Sequence, residues 1–291
     1  MRHRTSLTAG LLAAAALATT PLLTSSANAD APAPAPAAAA ERSAKAAEFS
    51  DDFDGAAGSA VDGSKWKLET GDNESNHERQ YYTSGTDNAA LDGNGNLVIT
   101  AKKENPGNYD CWYGKCEYTS ARLNTAETFK TTYGHAEARI KMSQGKGIWP
   151  AFWMLGEDIG SAGWPACGEI DVMENVGHEP GTVHGTIHGP GYSGGEGIGS
   201  AYSLPDGQKF ADGFHTFAVD WSPEKITWSV DGNQFQTRTP ADLGGDKWVF
   251  DHPFYMILNL AVGGDWPGDP DGGTTFPQQL VVDYVKVTGG N

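Results

Sequence analysis

Basic side chains are scarce in this chain. Its 291 residues carry 20 Lys and Arg against 37 Asp and Glu, a formal net charge of −17. A surface this acidic repels phosphate backbones and anionic lipid, which argues against nucleic-acid and membrane partners and suits a neutral ligand. Long apolar runs are missing as well: beyond the first 29 residues nothing approaches the roughly 20 apolar residues of a bilayer span. No stretch holds a 3.6-residue period, which removes helical architectures from consideration. Cysteine is reduced to Cys111, Cys116 and Cys167. The first two are close enough to close a small disulfide loop in an oxidising compartment, or to remain as thiols. Cys167 is then left over, either as a small buried residue or as a thiol nucleophile close to Glu169.

The first residues are a targeting segment. Met1-Arg2-His3-Arg4 is a short basic start, an Ala/Leu-rich run follows to Leu23, and Ala27-Asn28-Ala29 fits a signal-peptidase site. Residues 1–29 therefore read as a signal peptide and the protein as secreted and extracellular; removing Arg2 and Arg4 takes the net charge from −17 to −19. Residues 30–48 are Ala/Pro-rich and read as a linker. Residues 49–291 are left as one domain, since no second linker interrupts them, and it is expected to be monomeric.

Within that domain, glycine and short alternating segments dominate. Ala136, Ala138, Ile140 and Met142 alternate with His135, Glu137, Arg139 and Lys141, which predicts a half-buried strand. Ile226, Trp228 and Val230 alternate with polar residues up to Asp231-Gly232, a hairpin turn signal. Phe217-Val219-Trp221, 254–261 and 280–287 add further strands, and Tyr255-Met256-Ile257-Leu258-Asn259-Leu260 is apolar on both faces, as in an inner strand. Asp92-Gly93-Asn94-Gly95 marks another turn. Short strands punctuated by 38 glycines predict an all-β sandwich or jelly roll.

The segment that carries chemistry is Gly168-Glu169-Ile170-Asp171-Val172-Met173-Glu174-Asn175. On a strand, Glu169 and Asp171 share one face while Ile170 and Val172 take the other. Strict alternation would bring Met173, not Glu174, to the carboxylate face; a one-residue bulge near Met173 restores Glu174 to it. Four effective steps then separate the two glutamate Cα atoms by about 13 Å. Side chains leaning together would close their carboxyl groups to about 5–6 Å, the spacing of a retaining glycosidase. Crowding disfavours ionisation of all three acids, so one keeps a proton near neutrality. Two other readings of the acids are a solvated strand face and a hard-cation site. Trp149, Trp153, Trp164, His184 and His188 lie within twenty residues of Glu169, and aromatic platforms beside paired acids favour a sugar cleft.

Several motif matches fail on context. Gly189-Pro190-Gly191-Tyr192-Ser193-Gly194 spells a dinucleotide loop, and Gly191-Tyr192-Ser193-Gly194-Gly195 a nucleophile elbow, but no helix can start in the glycines that follow. His178-Glu179-Pro180-Gly181-Thr182 lacks the second zincin histidine and has a proline where a helix is required. His184 and His188 share a strand face about 13 Å apart, too far for one zinc and suited to lining one cleft.

Taken together, Glu169-Ile170-Asp171-Val172-Met173-Glu174, the leader Gly147-Ile148-Trp149-Pro150-Ala151-Phe152-Trp153-Met154-Leu155 and Val183-His184-Gly185-Thr186-Ile187-His188-Gly189 resemble family 16 of the glycoside hydrolases. The additional Met173 resembles the laminarinase (endo-1,3-β-glucanase) branch. The resemblance implies a concanavalin-like jelly roll of two curved antiparallel sheets, with a β-1,3-glucan as partner. It implies Glu169 as nucleophile, Glu174 as acid/base and Asp171 as their support. Trp149, Trp153, His188 and Trp266 are implied as substrate contacts, with Glu78 and Arg122 in cleft-lining segments; Asp265 stands where many relatives carry Asn. No cofactor is implied for catalysis, but a structural calcium is, held by Asp283, Asp52 and Gly93. Two rival readings use the same chain: a glucan-binding lectin-like module, which would not require the glutamate pair, and a transglycosylase, which would.

Overall fold

The computed structural model describes residues 47–104 and 107–289. The signal-peptide reading and nearly all of the linker reading fall outside the described residues. Strand formation starts at Ala47, two residues ahead of the expected domain boundary. The strands, in chain order, are β1 (Ala47–Asp51), β2 (Lys67–Leu68), β3 (Gln80–Tyr82), β4 (Ala89–Leu91), β5 (Leu97–Lys103), β6 (Asp110–Cys111) and β7 (Gly114–Lys115). They continue as β8 (Tyr118–Ser120), β9 (Arg122–Asn124), β10 (Gly134–Lys141), β11 (Ile148–Gly156), β12 (Glu169–Glu174), β13 (Thr182–His188) and β14 (Ile198–Ser203). The last five are β15 (His215–Ser222), β16 (Lys225–Val230), β17 (Asn233–Arg238), β18 (Phe254–Val262) and β19 (Gln278–Gly289).

Two large sheets result. One has the order β14-β13-β12-β11-β18-β9-β2, and the other runs β17-β16-β15-β10-β19-β5-β8-β3 with β1 on β19 and β4 on β5. Pairing within both is antiparallel except for β3 with β8, which is parallel. The expected jelly-roll sandwich is therefore present. The alternation read in 136–142 is realised in β10, where Ala136, Ala138 and Ile140 are buried and face the other sheet. Asp231 and Gly232 both take positive φ between β16 and β17, as a two-residue hairpin of matching twist requires. All nine residues of β18 are buried, as expected of an inner strand, here lying between β11 and β9 in the first sheet.

The strand bearing the acids is bulged. Against β13, Asp171 pairs with Thr186 and Glu174 with His184, so Val172 and Met173 together face the single residue Gly185. Val172 and Met173 are consequently both buried in the core. A bulge interrupts the ladder and frees carbonyls that cannot remain unpaired inside a protein. Two side chains from the opposite sheet take them up: Trp228 Nε1 of β16 donates to the Asp171 carbonyl at 2.7 Å, and Gln236 Nε2 of β17 donates to the Gly185 carbonyl at 2.7 Å. Gly185 must be glycine for this to work, since a Cβ there would lie 2.4 Å from Trp228 Cδ1 and 2.8 Å from Gln236 Nε2.

The cysteine alternatives are settled in the same frame. Cys111 and Cys116 form a disulfide, and Cys167 is a buried free thiol packed with Leu155, Tyr255 and Ile257. Burial pushes that thiol up to about 11, which leaves it protonated and unfit as a nucleophile.

Gly185→Ala is expected to cost about 1–3 kcal/mol of stability by overpacking. It should also depress activity by shifting Trp228 off the bulge; a thermal melt alongside an activity assay checks both.

Candidate active site

The bulge puts Glu169, Asp171 and Glu174 on one face of β12, the face turned away from the sandwich core. Cross-strand pairing then sets a histidine beside each end: His188 opposite Glu169 and His184 opposite Glu174. His188 Nε2 lies 3.1 Å from Asp171 Oδ2 and 3.9 Å from Glu169 Oε1. The side chain of Glu169 is the most open of the three acids at 18% exposure, while Asp171 is sealed beneath its neighbours.

Each glutamate is held by an indole. Trp149 Nε1 donates to Glu174 Oε1 at 3.0 Å, and Trp164 Nε1 donates to Glu169 Oε2 at 2.8 Å. Trp149 is reached from β11 and Trp164 from the loop before β12, so the pair is gripped from opposite ends. Trp266 closes the Glu174 end, edge-on to Trp149 at 5.6 Å and to His184 at 5.0 Å between ring centroids.

Burial raises all three carboxyls. Glu169 is pushed up to about 8 by burial and by the Asp171 charge, against the pull of His188 and the Trp164 N–H. Asp171 is pushed up to about 7 by burial, offset by its hydrogen bond with Glu169. Glu174 is raised well above the ordinary carboxylate range, by burial and then by the charges of Asp171 and Glu169. The set therefore holds fewer than three negative charges at neutral pH.

The remaining candidates sort into cleft groups and supports. Trp153 donates its N–H to Asn259 Oδ1 at 2.8 Å and carries the Arg122 guanidinium over its ring at 4.7 Å. Arg122 is in turn 3.1 Å from Glu69. Glu78 is not a cleft-lining carboxylate: it is buried and accepts from Asn73, Asn76, Gln80 and Tyr82 at 2.6–3.2 Å. Because Tyr82 also receives Asn259 at 3.3 Å, Glu78 anchors the underside of the Trp153 platform. Asp265 meets His77 Nδ1 at 3.0 Å.

The calcium set implied by the resemblance is not assembled. Asp283 is ion-paired with Arg139, and Asp52 with Lys286 Nζ at 3.1 Å. Carboxylates already neutralised by cations of neighbouring strands are poorer ligands for a hard cation. The described residues place three His, Cys, Asp or Glu ligands within reach of one cation only at Glu169, Asp171 and His188, whose ligand atoms lie within 4.8 Å of one another.

Reading by residue type found the carboxylates and Trp149 but not the role of Trp164, whose indole reaches Glu169 only because the loop before β12 folds back. Nor did it find Trp228, which read as an ordinary residue of an alternating strand, or Gln236, which the sequence did not single out. Their signal, a buried polar hydrogen opposite an expected bulge, exists only once the two sheets are stacked.

Residues 76–286 match the family model of Glycosyl hydrolases family 16. The chain is 40% identical over 265 residues to a beta-glucanase of Rhodothermus marinus, covering 85% of this chain and 87% of that protein. Among solved structures it is similar to the laminarinase catalytic domain of Thermotoga maritima, with 46% identity, a TM-score of 0.78, and coverage of 84% of this chain and 98% of that one. It is also similar to the endo-beta-1,3-glucanase of Pyrococcus furiosus, with 48% identity, a TM-score of 0.76, and coverage of 83% and 93%.

Acids whose folded values lie above their unfolded ones bind more protons when folded, so stability is lost as pH rises from the unfolded value near about 4.5 through the folded one. Glu174→Gln is therefore expected to raise the melting temperature at pH 8, by about 2–4 °C for each kcal/mol recovered, and to leave it nearly unchanged at pH 4.5. Parallel melts of the two proteins across that range check the sign.

Proposed function

The chain belongs to glycosyl hydrolase family 16, and on that premise we propose that it is a secreted, endo-acting hydrolase of β-1,3-glucosidic bonds in laminarin-type glucans, working by double displacement with retention. The observation that carries this is the bulge in β12, which sets two indole-held glutamates on one face, on either side of a buried aspartate. The relatives named above supply the substrate class, and the basic, then apolar, then Ala-x-Ala start of the chain supplies the secreted location.

In the first step Glu169 attacks the anomeric carbon while Glu174 gives its proton to the glycosidic oxygen. The C–O bond breaks, the leaving sugar departs as an alcohol, and a glycosyl ester forms on Glu169. In the second step Glu174, now a carboxylate, takes a proton from water; the oxygen attacks the anomeric carbon and Glu169 is released. The assignment follows the environments: each glutamate has an indole N–H, but Glu169 is the more open and lies beside His188, which supports a negative charge there, while Glu174 is buried and raised well above the ordinary range. Asp171 shares a hydrogen bond with Glu169 and orients it. When Glu169 loses its charge to the ester, repulsion on Glu174 falls, and its carboxylate becomes easier to hold in the step where it must act as base. Side chains and water carry every proton and electron pair in this cycle, so no cofactor enters it.

Activity should be bell-shaped in pH. It rises as the Glu169–Asp171 pair releases a proton and falls as Glu174 loses its own, with both limbs displaced upward from the ordinary carboxylate range. Proton NMR of early laminarin hydrolysis should show the β-anomer first; appearance of the α-anomer would defeat the double displacement. Glu169→Gln should lower kcat by about 10³-fold or more. Glu174→Gln should lose about 10²–10⁴-fold on laminarin and far less on an aryl glucoside whose leaving group needs no proton.

A further inference from the structure

Among the described residues, the large apolar side chains left exposed are all tryptophans: Trp164 at 48%, Trp266 at 43% and Trp112 at 37%. The first two border the carboxylates of β12. Trp112 does not, and the mechanism gives it no task.

Its surroundings are built to hold it where it is. The hairpin of β6 and β7 stands apart from both sheets, and the disulfide between Cys111 and Cys116 closes it. Three hydrogen bonds fasten its tip to the segment before β3: Trp112 N donates to Asp72 Oδ2 at 2.6 Å, Trp112 Nε1 to the Glu78 carbonyl at 2.7 Å, and Tyr113 Oη to the Arg79 carbonyl at 2.6 Å. The indole N–H, the one polar atom of the side chain, is thus turned onto the protein, and what remains toward solvent is carbon. Arg79, clamped by Asp269 at 2.8 and 2.6 Å, lies over the ring at 5.1 Å and fixes its tilt. An exposed apolar ring with this much anchoring points to a ligand with an apolar face.

The position supplies the ligand. Trp112 is 5.0 Å from the His77 ring, and His77 meets Asp265 at 3.0 Å. Asp265 N donates to the Asn76 carbonyl at 3.0 Å, and the next residue, Trp266, packs on Trp149, which holds Glu174. A continuous ridge therefore runs from the acid strand through Trp266 and His77 to the hairpin tip. We propose that Trp112 is a stacking platform for a glucose unit distant from the bond being cut, extending the cleft past Trp266 so that long glucan chains bind better than short ones. This rests on the glucan-cleaving reading above. A pyranose ring fits the platform, with C–H groups for the indole face and hydroxyls for His77 and Asp265 beside it.

The test compares kcat/KM on laminarin with kcat/KM on laminaritriose, a short substrate expected to occupy only the units next to the bond being cut. In Trp112→Ala the ratio of the two should fall about tenfold, equivalent to about 1.4 kcal/mol, chiefly through KM on laminarin. Cys111→Ser/Cys116→Ser, which frees the hairpin without touching the ring, should lower the ratio in the same direction. A ratio left unchanged in Trp112→Ala overturns the proposal, and so does an equal loss on both substrates, the mark of a merely structural residue. If the unaltered protein fails to cleave laminarin, the glucanase reading falls instead. Trp112 is then decided by the Kd for laminarin in the Glu169→Gln background, where adding Trp112→Ala should weaken binding about tenfold, and an unaltered Kd refutes it.

Discussion

The site depends on one hydrogen bond that crosses the sandwich. Trp228 Nε1 reaches from β16 to the Asp171 carbonyl and occupies the space that a side chain on Gly185 would need. Without that donor the bulge would leave a buried carbonyl unpaired, at a cost of about 1–3 kcal/mol, and a regular ladder would compete with it. A regular ladder turns Glu174 into the core and Met173 into the cleft, since a one-residue slip exchanges the faces of a strand. The second sheet, remote from any substrate, thus fixes which carboxyl groups meet. Gln236 repeats the device at the Gly185 carbonyl, so both strands flanking the irregularity are tied from the same side.

Crowding three carboxyls is unfavourable, and their surroundings show how the fold tolerates it. No Lys or Arg among the described residues forms a salt bridge with any of them; support comes from two indole N–H groups and His188. A cation would have lowered all three and left nothing protonated to act as acid. Indoles are donors only and hold no net charge, so they orient the oxygens while leaving the electrostatic repulsion in place. Burial and that repulsion together raise the acids, and they are also a standing penalty on the folded state above the ordinary carboxylate range.

Much of this was legible in the sequence because the signals were local. The period-two alternation of 136–142, the Asp231-Gly232 turn and the doubly apolar 255–260 segment each became the expected strand or hairpin. The bulge was legible for a sharper reason: no regular strand can place the acids of E-x-D-x-x-E on one face. Features that depend on sheet stacking were hidden. Glu78 has the residue type and the neighbourhood of a cleft acid, yet four donors converge on it from below, and only coordinates reveal that direction. The partners of Asp283 and Asp52 were hidden likewise, since their pattern says nothing of the Arg139 and Lys286 that answer them across the ladder.

The supports behind the aromatic side chains are of two kinds. Trp153 is held through Asn259, Tyr82 and Glu78, while Trp149 and Trp164 are held by the glutamates themselves. Moving either of the latter changes the charge balance of the acids. Trp153 is anchored through a buried network of neutral donors around the Glu78 carboxylate, and its backbone is the ladder partner of Asp171. The main-chain carbonyl of Glu78 also receives the Trp112 indole, so the same residue joins the floor of the cleft to its outlying hairpin. Glu78 thereby ties the Trp153 platform and the outlying hairpin together through groups other than the three acids of β12.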